Sequence, residues 1–221
     1  MSPAAAATAG KGDRGRPRLP RGPHALSAEE VARNQRERIF AALAEVLAER
    51  GYQRTSVARI SAAAGVSTRS FYRQFADKTE CVLAFHERSQ ERLLSTLREP
   101  CEEGGELADL VRRSLDAGLR MLATEPALAQ LLTLEAPAAG GRIARRHFDW
   151  LGAYAALLTE AGAALPPERR PSRATELTLV GGIASRIAEL VMAERVSGLS
   201  QLGPELSEVI LSFYGPSAEA A

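Results

Sequence analysis

Residues 55–78 read TSVARISAAAGVSTRSFYRQFADK, and the reading of the whole chain turns on them. Val57, Ile60 and Ala64 recur at helical spacing, Gly65 stops that helix, and Ser67 is placed to cap a second one carrying Phe71 and Phe75 four residues apart. Two short helices therefore meet across a tight turn. Their apolar positions bury one side and leave Thr68, Arg69, Tyr72 and Arg73 on the outer face of the second helix. That is the pattern of a helix-turn-helix with a basic, aromatic reading face.

Upstream, Ser27 and Glu30 form a capping box that opens a long helix. Ile39, Leu43, Val46 and Leu47 make its buried stripe and Gly51 ends it, so this helix backs the two short ones as scaffold. Arg33, Arg36 and Arg38 near its start fit either a solvated face or a brush with phosphates. Met1 to Pro23 is rich in Ala, Gly and Pro, with Lys11, Arg14, Arg16, Arg18 and Arg21 opposed only by Asp13, and is expected to be a disordered basic arm. Its Arg14-Gly15-Arg16-Pro17 resembles an AT-hook core, which would lie in a narrow minor groove; a merely solvated tail is the alternative.

Downstream, one helix is predicted from about Asp77 to Leu97, with Lys78 in its first turn. The helix dipole does not favour a cation there, so the placement suggests an external anion. Pro100 and Gly104-Gly105 are expected to break the chain. Five more helices follow, covering roughly Glu106–Ala123, Thr124–Glu135, Arg142–Ala163, Ser172–Ser197 and Pro204–Tyr214, with a loop from Pro137 to Gly141. The third of these aligns His147, Trp150, Tyr154 and Leu158 on one side. The fourth is apolar nearly all round and must be covered on every side. No strand signal and no internal repeat is present.

The chain has 221 residues, 45% of them hydrophobic, enough for a sizeable core. It has no apolar run of about 18 residues and no secretory signal, so a cytoplasmic protein without membrane contact is expected. Cys81 and Cys101 lack metal or redox spacing, and reduced thiols are expected. The net charge of +1 hides an asymmetry: residues 1–80 carry 14 basic against 8 acidic side chains, and residues 81–221 carry 14 against 19. A polyanion therefore has its partner in the first eighty residues. His24, His86 and His147 are scattered, no nucleophile, phosphate-loop or zinc motif appears, and only Lys11 and Lys78 are lysines. The expectation is no enzyme, no cofactor and no metal site.

Thr55, Ile60, Ala64-Gly65-Val66-Ser67, Tyr72, Phe75 and Lys78 stand at the spacings of the DNA-binding signature of the TetR family of transcriptional regulators. The chain resembles that family over about two dozen positions, far more than a chance helix-turn-helix would match. Ser61 departs from it, standing where the family usually has Ala; beyond Lys78 the resemblance is weak.

The resemblance implies an all-α protein with an N-terminal three-helix helix-turn-helix domain and a C-terminal helical ligand-binding and dimerisation domain. The division expected is an arm over 1–26, a DNA-binding domain over 27–80, a ligand and dimer domain over 81–214 and a tail over 215–221. It also implies a repressor that binds a near-palindromic double-stranded operator as a homodimer and is released by a small, largely apolar effector. The alternative is a DNA-binding dimer that senses nothing.

Thr68, Arg69 and Arg73 are expected at base edges or nearby phosphates, with Ser67 capping the reading helix and Ser70, Tyr72, Thr55 and Lys78 on phosphates, Thr55 doubling as a helix cap. In the family the lysine matching Lys78 contacts a phosphate. Met121, Leu131, Leu134, His147, Trp150 and Tyr154 are candidates to line the effector cavity, with plain core as the alternative. Leu177, Gly181, Ala184, Ala188, Val191, Leu206, Ile210 and Phe213, on the last two long helices, are the candidates for a four-helix dimer seam.

Overall fold

The computed structural model describes residues 27–214, and among them the chain is helical with no strand. The first helix, α1, spans Ala28–Arg54. Ser27 Oγ accepts from Glu30 N at 3.1 Å while Ser27 N donates to the Glu30 carboxylate at 2.7 Å, closing the capping box. The helix kinks at Gly51, whose φ of 71° is one that glycine adopts without strain.

Two short helices, α2 (Val57–Ala64) and α3 (Thr68–Tyr72), are joined through Gly65 at φ 63°. Their inner faces are dry: Ile60 and Phe71 are fully buried. Phe71, Phe75, Phe40 and Phe85 form a chain of tilted rings with centroids 5.3–5.7 Å apart. The Arg36 guanidinium lies 4.7 Å from the centroid of Phe75 and 5.1 Å from that of Phe40. Arg38 donates to Ala64 O at 2.6 Å and Gly65 O at 2.9 Å, satisfying carbonyls that α2 leaves open. Two of the three arginines expected on a solvated face thus hold the helix-turn-helix to its scaffold.

The long helix α4 spans Lys78–Glu102 and carries Pro100 inside its last turn. The expected break at Pro100 does not occur. A proline there forfeits only one hydrogen bond near the helix end, and the inward stripe Leu93, Leu97, Cys101 continues through it. A domain boundary at residue 80 would cut this helix, whose Cys81, Val82 and Phe85 belong to the core shared with α1 and α3. The remaining elements are α5 (Leu107–Thr124), α6 (Pro126–Gln130), a π-helical turn (Leu131–Glu135), α7 (Ala136–Ala138), α8 (Gly141–Ala161), α9 (Arg173–Met192) and α10 (Gly203–Ser212). Pro137, expected in a loop, sits in α7.

The fourth predicted C-terminal helix ends five residues early, because Glu194 takes a left-handed φ of 55° and Arg195 N reaches back to Leu190 O at 2.8 Å. A glycine usually marks such a stop, and none is present. The chain continues as a 3₁₀ segment over Val196–Leu202.

The π-helical turn closes with Ala136 N on Leu131 O and packs against the kink of α1. There the Glu135 carboxylate accepts from Tyr52 N at 2.7 Å, and a Cβ added to Gly51 would meet it at 3.2 Å. Tyr52 in turn holds Lys78: Nζ donates to Tyr52 O at 2.9 Å and stands 4.0 Å from the centroid of the Tyr52 ring. The C-terminal helices are thereby tied to the start of α4 through one residue of α1.

Candidate nucleic-acid interface and ligand cavity

Helix α3 is short, and tertiary burial of Phe71 holds it in place. Ser67 caps it, its Oγ accepting from Ser70 N at 3.0 Å and lying 3.0 Å from Ser70 Oγ. Thr68, Arg69, Tyr72 and Arg73 are all exposed, and Tyr72, at 58%, is unusually open for an aromatic side chain. Ser67 is exposed and Ser70 is half-buried beside them.

Two other candidates sit differently from expectation. Thr55 is 4% exposed with its hydroxyl donated to Gly51 O at 2.8 Å, and Ser56, not Thr55, caps α2. Thr55 is therefore a brace for the α1 kink, and its side chain is not offered to a phosphate. Lys78 is half-buried on Tyr52, so its ammonium is positioned by the kink of α1 and not by its own helix alone. Arg14 and Arg16 lie outside the described residues.

Inside the C-terminal helices α4, α5, α8, α9 and α10 enclose a cavity of about 160 Å³. Of the residues expected to line it, His147 and Tyr154 do; Met121, Leu131, Leu134 and Trp150 do not. On α8 the cavity lining is His147, Leu151, Tyr154, Leu157, Leu158 and Ala161; Trp150 has nearly the helical phase of Leu157, seven residues on, but is engaged with α4 instead. There its Nε1 donates to Glu87 at 3.3 Å under the Arg146 guanidinium. Met121 receives the Thr96 hydroxyl at its sulfur instead, and Leu131 is buried in the core beside α1. Among the lining residues that sequence reading missed are Gln90 of α4 and Leu132 and Thr133 of the π-helical turn. Gln90 was legible as a polar interruption of the apolar series that includes Leu93 and Leu97.

The polar end of the cavity is a buried network. Tyr154 OH donates to Gln90 Oε1, and Gln90 Nε2 stands 3.2 Å from His86 Nε2. His86 is fully buried and His147 6% exposed, with ring centroids 5.9 Å apart and no partner for Nδ1 of either. Burial, then the neighbouring His147, pushes His86 down to about 4, and burial pushes His147 down as well.

Because the unfolded chain takes up protons near 6.5 that folded His86 refuses until about 4, stability present above pH 6.5 is lost as the pH falls through that window. Urea unfolding at pH 5 should show about 2 kcal/mol less stability from His86 alone than at pH 8. His86→Phe should flatten that part of the profile; an unchanged slope would show that His86 titrates normally.

The dimer candidates divide in the same way. Val191, Leu206 and Ile210 are buried within the chain and so are not available to a partner, while Ala184, which lines the cavity, is half-buried. Leu177 (41%) and Phe213 (50%) are exposed, Gly181 and Ala188 are half-buried, and Val209 and Met192, not foreseen, are exposed too. Among the described residues no helix is long and apolar enough to cross a membrane, and no His/Cys/Asp/Glu group could hold a metal.

The chain thus presents a helix-turn-helix with an open basic face, carried on helices that hold a cavity. Residues 39–85 match the family model for bacterial regulatory proteins of the tetR family. Nucleoid occlusion factor SlmA of Serratia proteamaculans is 30% identical over 106 residues, 48% of this chain and 54% of that one. The chain thus spans about half the length of the curated relatives it matches. Among solved structures, the fatty acid degradation regulator FadR of Bacillus halodurans superposes with a TM-score of 0.73 at 21% identity, over 80% of this chain and 94% of that one. FadR of Bacillus subtilis in complex with stearoyl-CoA gives 0.70 at 19%, over 80% and 98%.

Proposed function

We propose that the chain is a repressor that binds a near-palindromic operator as a homodimer and lets go when a small, largely apolar molecule fills the cavity. The observation that carries the DNA half is the outward set Thr68, Arg69, Tyr72 and Arg73 on a helix whose opposite side is sealed by Phe71. In the major groove, Thr68, Arg69 and Arg73 reach base edges or adjacent phosphates, while Ser67, Ser70, Tyr72 and Lys78 fix position on the backbone. The working division is a DNA-binding unit over 27–80 and a ligand and dimer unit over 81–214, with α4 running through both.

Selecting bound fragments from random DNA with the purified protein tests this half, and two variants sort the contacts. Lys78→Ala should weaken specific and random DNA alike and lower the salt slope by about one per subunit. Arg73→Ala should cost about 1–3 kcal/mol per half-site and relax preference at one base pair, as loss of a bidentate guanine contact does. An unchanged base preference would return Arg73 to the phosphate contacts.

The dimer reading is supported by exposed apolar side chains on α9 and α10, which Arg186 and Glu205 link at 3.5 Å. A helix apolar nearly all round yet partly exposed in the single chain needs a second copy to cover it. The effector reading is supported by the cavity and by the stearoyl-CoA complex of a structural neighbour.

Two reading helices must keep the spacing of half-sites about 34–36 Å apart. Helix α4 begins at Lys78 and forms one cavity wall with Gln90, Leu93, Leu97 and Cys101, and the π-helical turn forms another while holding Tyr52. A ligand that prefers the altered spacing shifts the population away from DNA, by about 1.4 kcal/mol for each tenfold preference.

A further inference from the structure

The cavity walls carry information about the ligand's chemistry. Every residue lining them is uncharged: the lining is leucine, isoleucine, valine and alanine, with a few neutral polar groups. Most of those groups are already engaged. Thr133 Oγ1 donates to Ala129 O at 2.8 Å, and Cys101 Sγ and Ser114 Oγ lie 3.6 Å apart.

What remains is the cluster Gln90, His147 and Tyr154, of which Gln90 is 1% and His147 6% exposed. Tyr154 spends its proton on Gln90 and keeps oxygen lone pairs; Gln90 keeps a second amide N–H; His147 Nδ1 has no partner. The nearby ion pair of Arg146 and Glu87 is closed on itself and on Trp150, and neither residue lines the cavity.

We infer that the cavity takes a molecule whose enclosed part is uncharged and carries one neutral hydrogen-bonding group, a hydroxyl or a carbonyl, set against Gln90, His147 and Tyr154. The inference rests on the cavity being the effector site. A carboxylate or ammonium would enter without a counter-ion, and an ion in an apolar enclosure changes protonation state before it stays. Both histidines are held neutral by burial, so they offer a carboxylate no positive charge. A hydroxyl can donate to Tyr154 or His147 and accept from Gln90; a carbonyl can accept from Gln90. Size sets a second limit, since about 160 Å³ is close to an engineered apolar cavity of about 150 Å³ that takes benzene. Ligands of about six to eight heavy atoms therefore fit this volume without moving a wall.

The test is calorimetric titration of the full chain with 1-hexanol, 2-hexanone, hexane, hexanoate and hexylammonium at pH 8. Hexanol and hexanone should bind at least about tenfold more tightly than either ion. Hexanoate affinity should rise about tenfold for each pH unit between 8 and 6, because only the protonated acid enters. Tyr154→Phe should weaken hexanol about tenfold while leaving hexane unchanged. Hexanoate bound as tightly as hexanol, with no pH dependence, would overturn the inference and leave the cavity standing as a ligand site. Binding by none of the five would remove the cavity reading itself, and the inference with it.

Discussion

Gly182→Glu should give a folded chain that runs as a monomer in light scattering and binds its operator at least about a hundredfold more weakly, a loss of about 2.7 kcal/mol. Gly182 is exposed on α9, and a Cβ there meets nothing within 4 Å, so the substitution does not disturb the chain's own packing. An interior helical glycine costs roughly 0.5–1 kcal/mol relative to alanine, which makes the variant's helix no weaker than the original. The expected loss therefore comes from the partner. In a two-fold interface the new carboxylate is buried twice, and an uncompensated buried charge costs about 3–5 kcal/mol. Substituting Ala184, by contrast, would alter the cavity it lines and confuse the two functions. A soluble dimer of Gly182→Glu with full operator affinity would move the interface off this face of α9.

Glu135→Leu should bind effector and fail to respond to it. The carboxylate is the acceptor for Tyr52 N, and Tyr52 holds Lys78 by its carbonyl and its ring, so removing Glu135 frees the kink of α1 from the cavity wall. Typical coupling between sites is about 1–3 kcal/mol, or about 5- to 150-fold in affinity, and most of that difference should disappear. Chemical unfolding should also show about 1–3 kcal/mol less stability from the orphaned amide. Glu135→Gln is the control, since its amide oxygen can still accept from Tyr52 N. Operator affinity measured with and without effector separates the cases. A full response in Glu135→Leu would route the coupling through α4 alone.

The helix-turn-helix was legible because its determinants are local: the spacing of Ile60, Ala64, Phe71 and Phe75, a glycine at positive φ and a serine cap all fall between residues 60 and 75. The C-terminal helices were legible as helices for the same reason. Which way each one faces was not, because apolar residues on nearly every side of α9 leave periodicity nothing to select. Ala184 reads equally well as a seam residue or a cavity wall, and only the position of α5 and α10 decides between them. Long-range polar ties were beyond reach for another reason. Arg38 to Ala64, Glu135 to Tyr52 and Tyr154 to Gln90 join residues 26, 83 and 64 positions apart, and each side chain taken alone looks like an ordinary surface or core residue.

The π-helical turn at Leu131–Glu135 can also be seen as an insertion. A turn closed five residues apart holds one residue more than an α-helical turn would, and that residue rotates everything after it by about 100° relative to what comes before. Leu132 and Thr133 face the cavity, and Glu135 faces the α1 kink. With one residue deleted, the segment would run as unbroken α-helix and could keep only one of these two faces in place. A homologue one residue shorter here would be expected to lack either the polar clasp on Tyr52 or this wall of the cavity. The length of this segment is thus a quantity that sequence comparison can read directly.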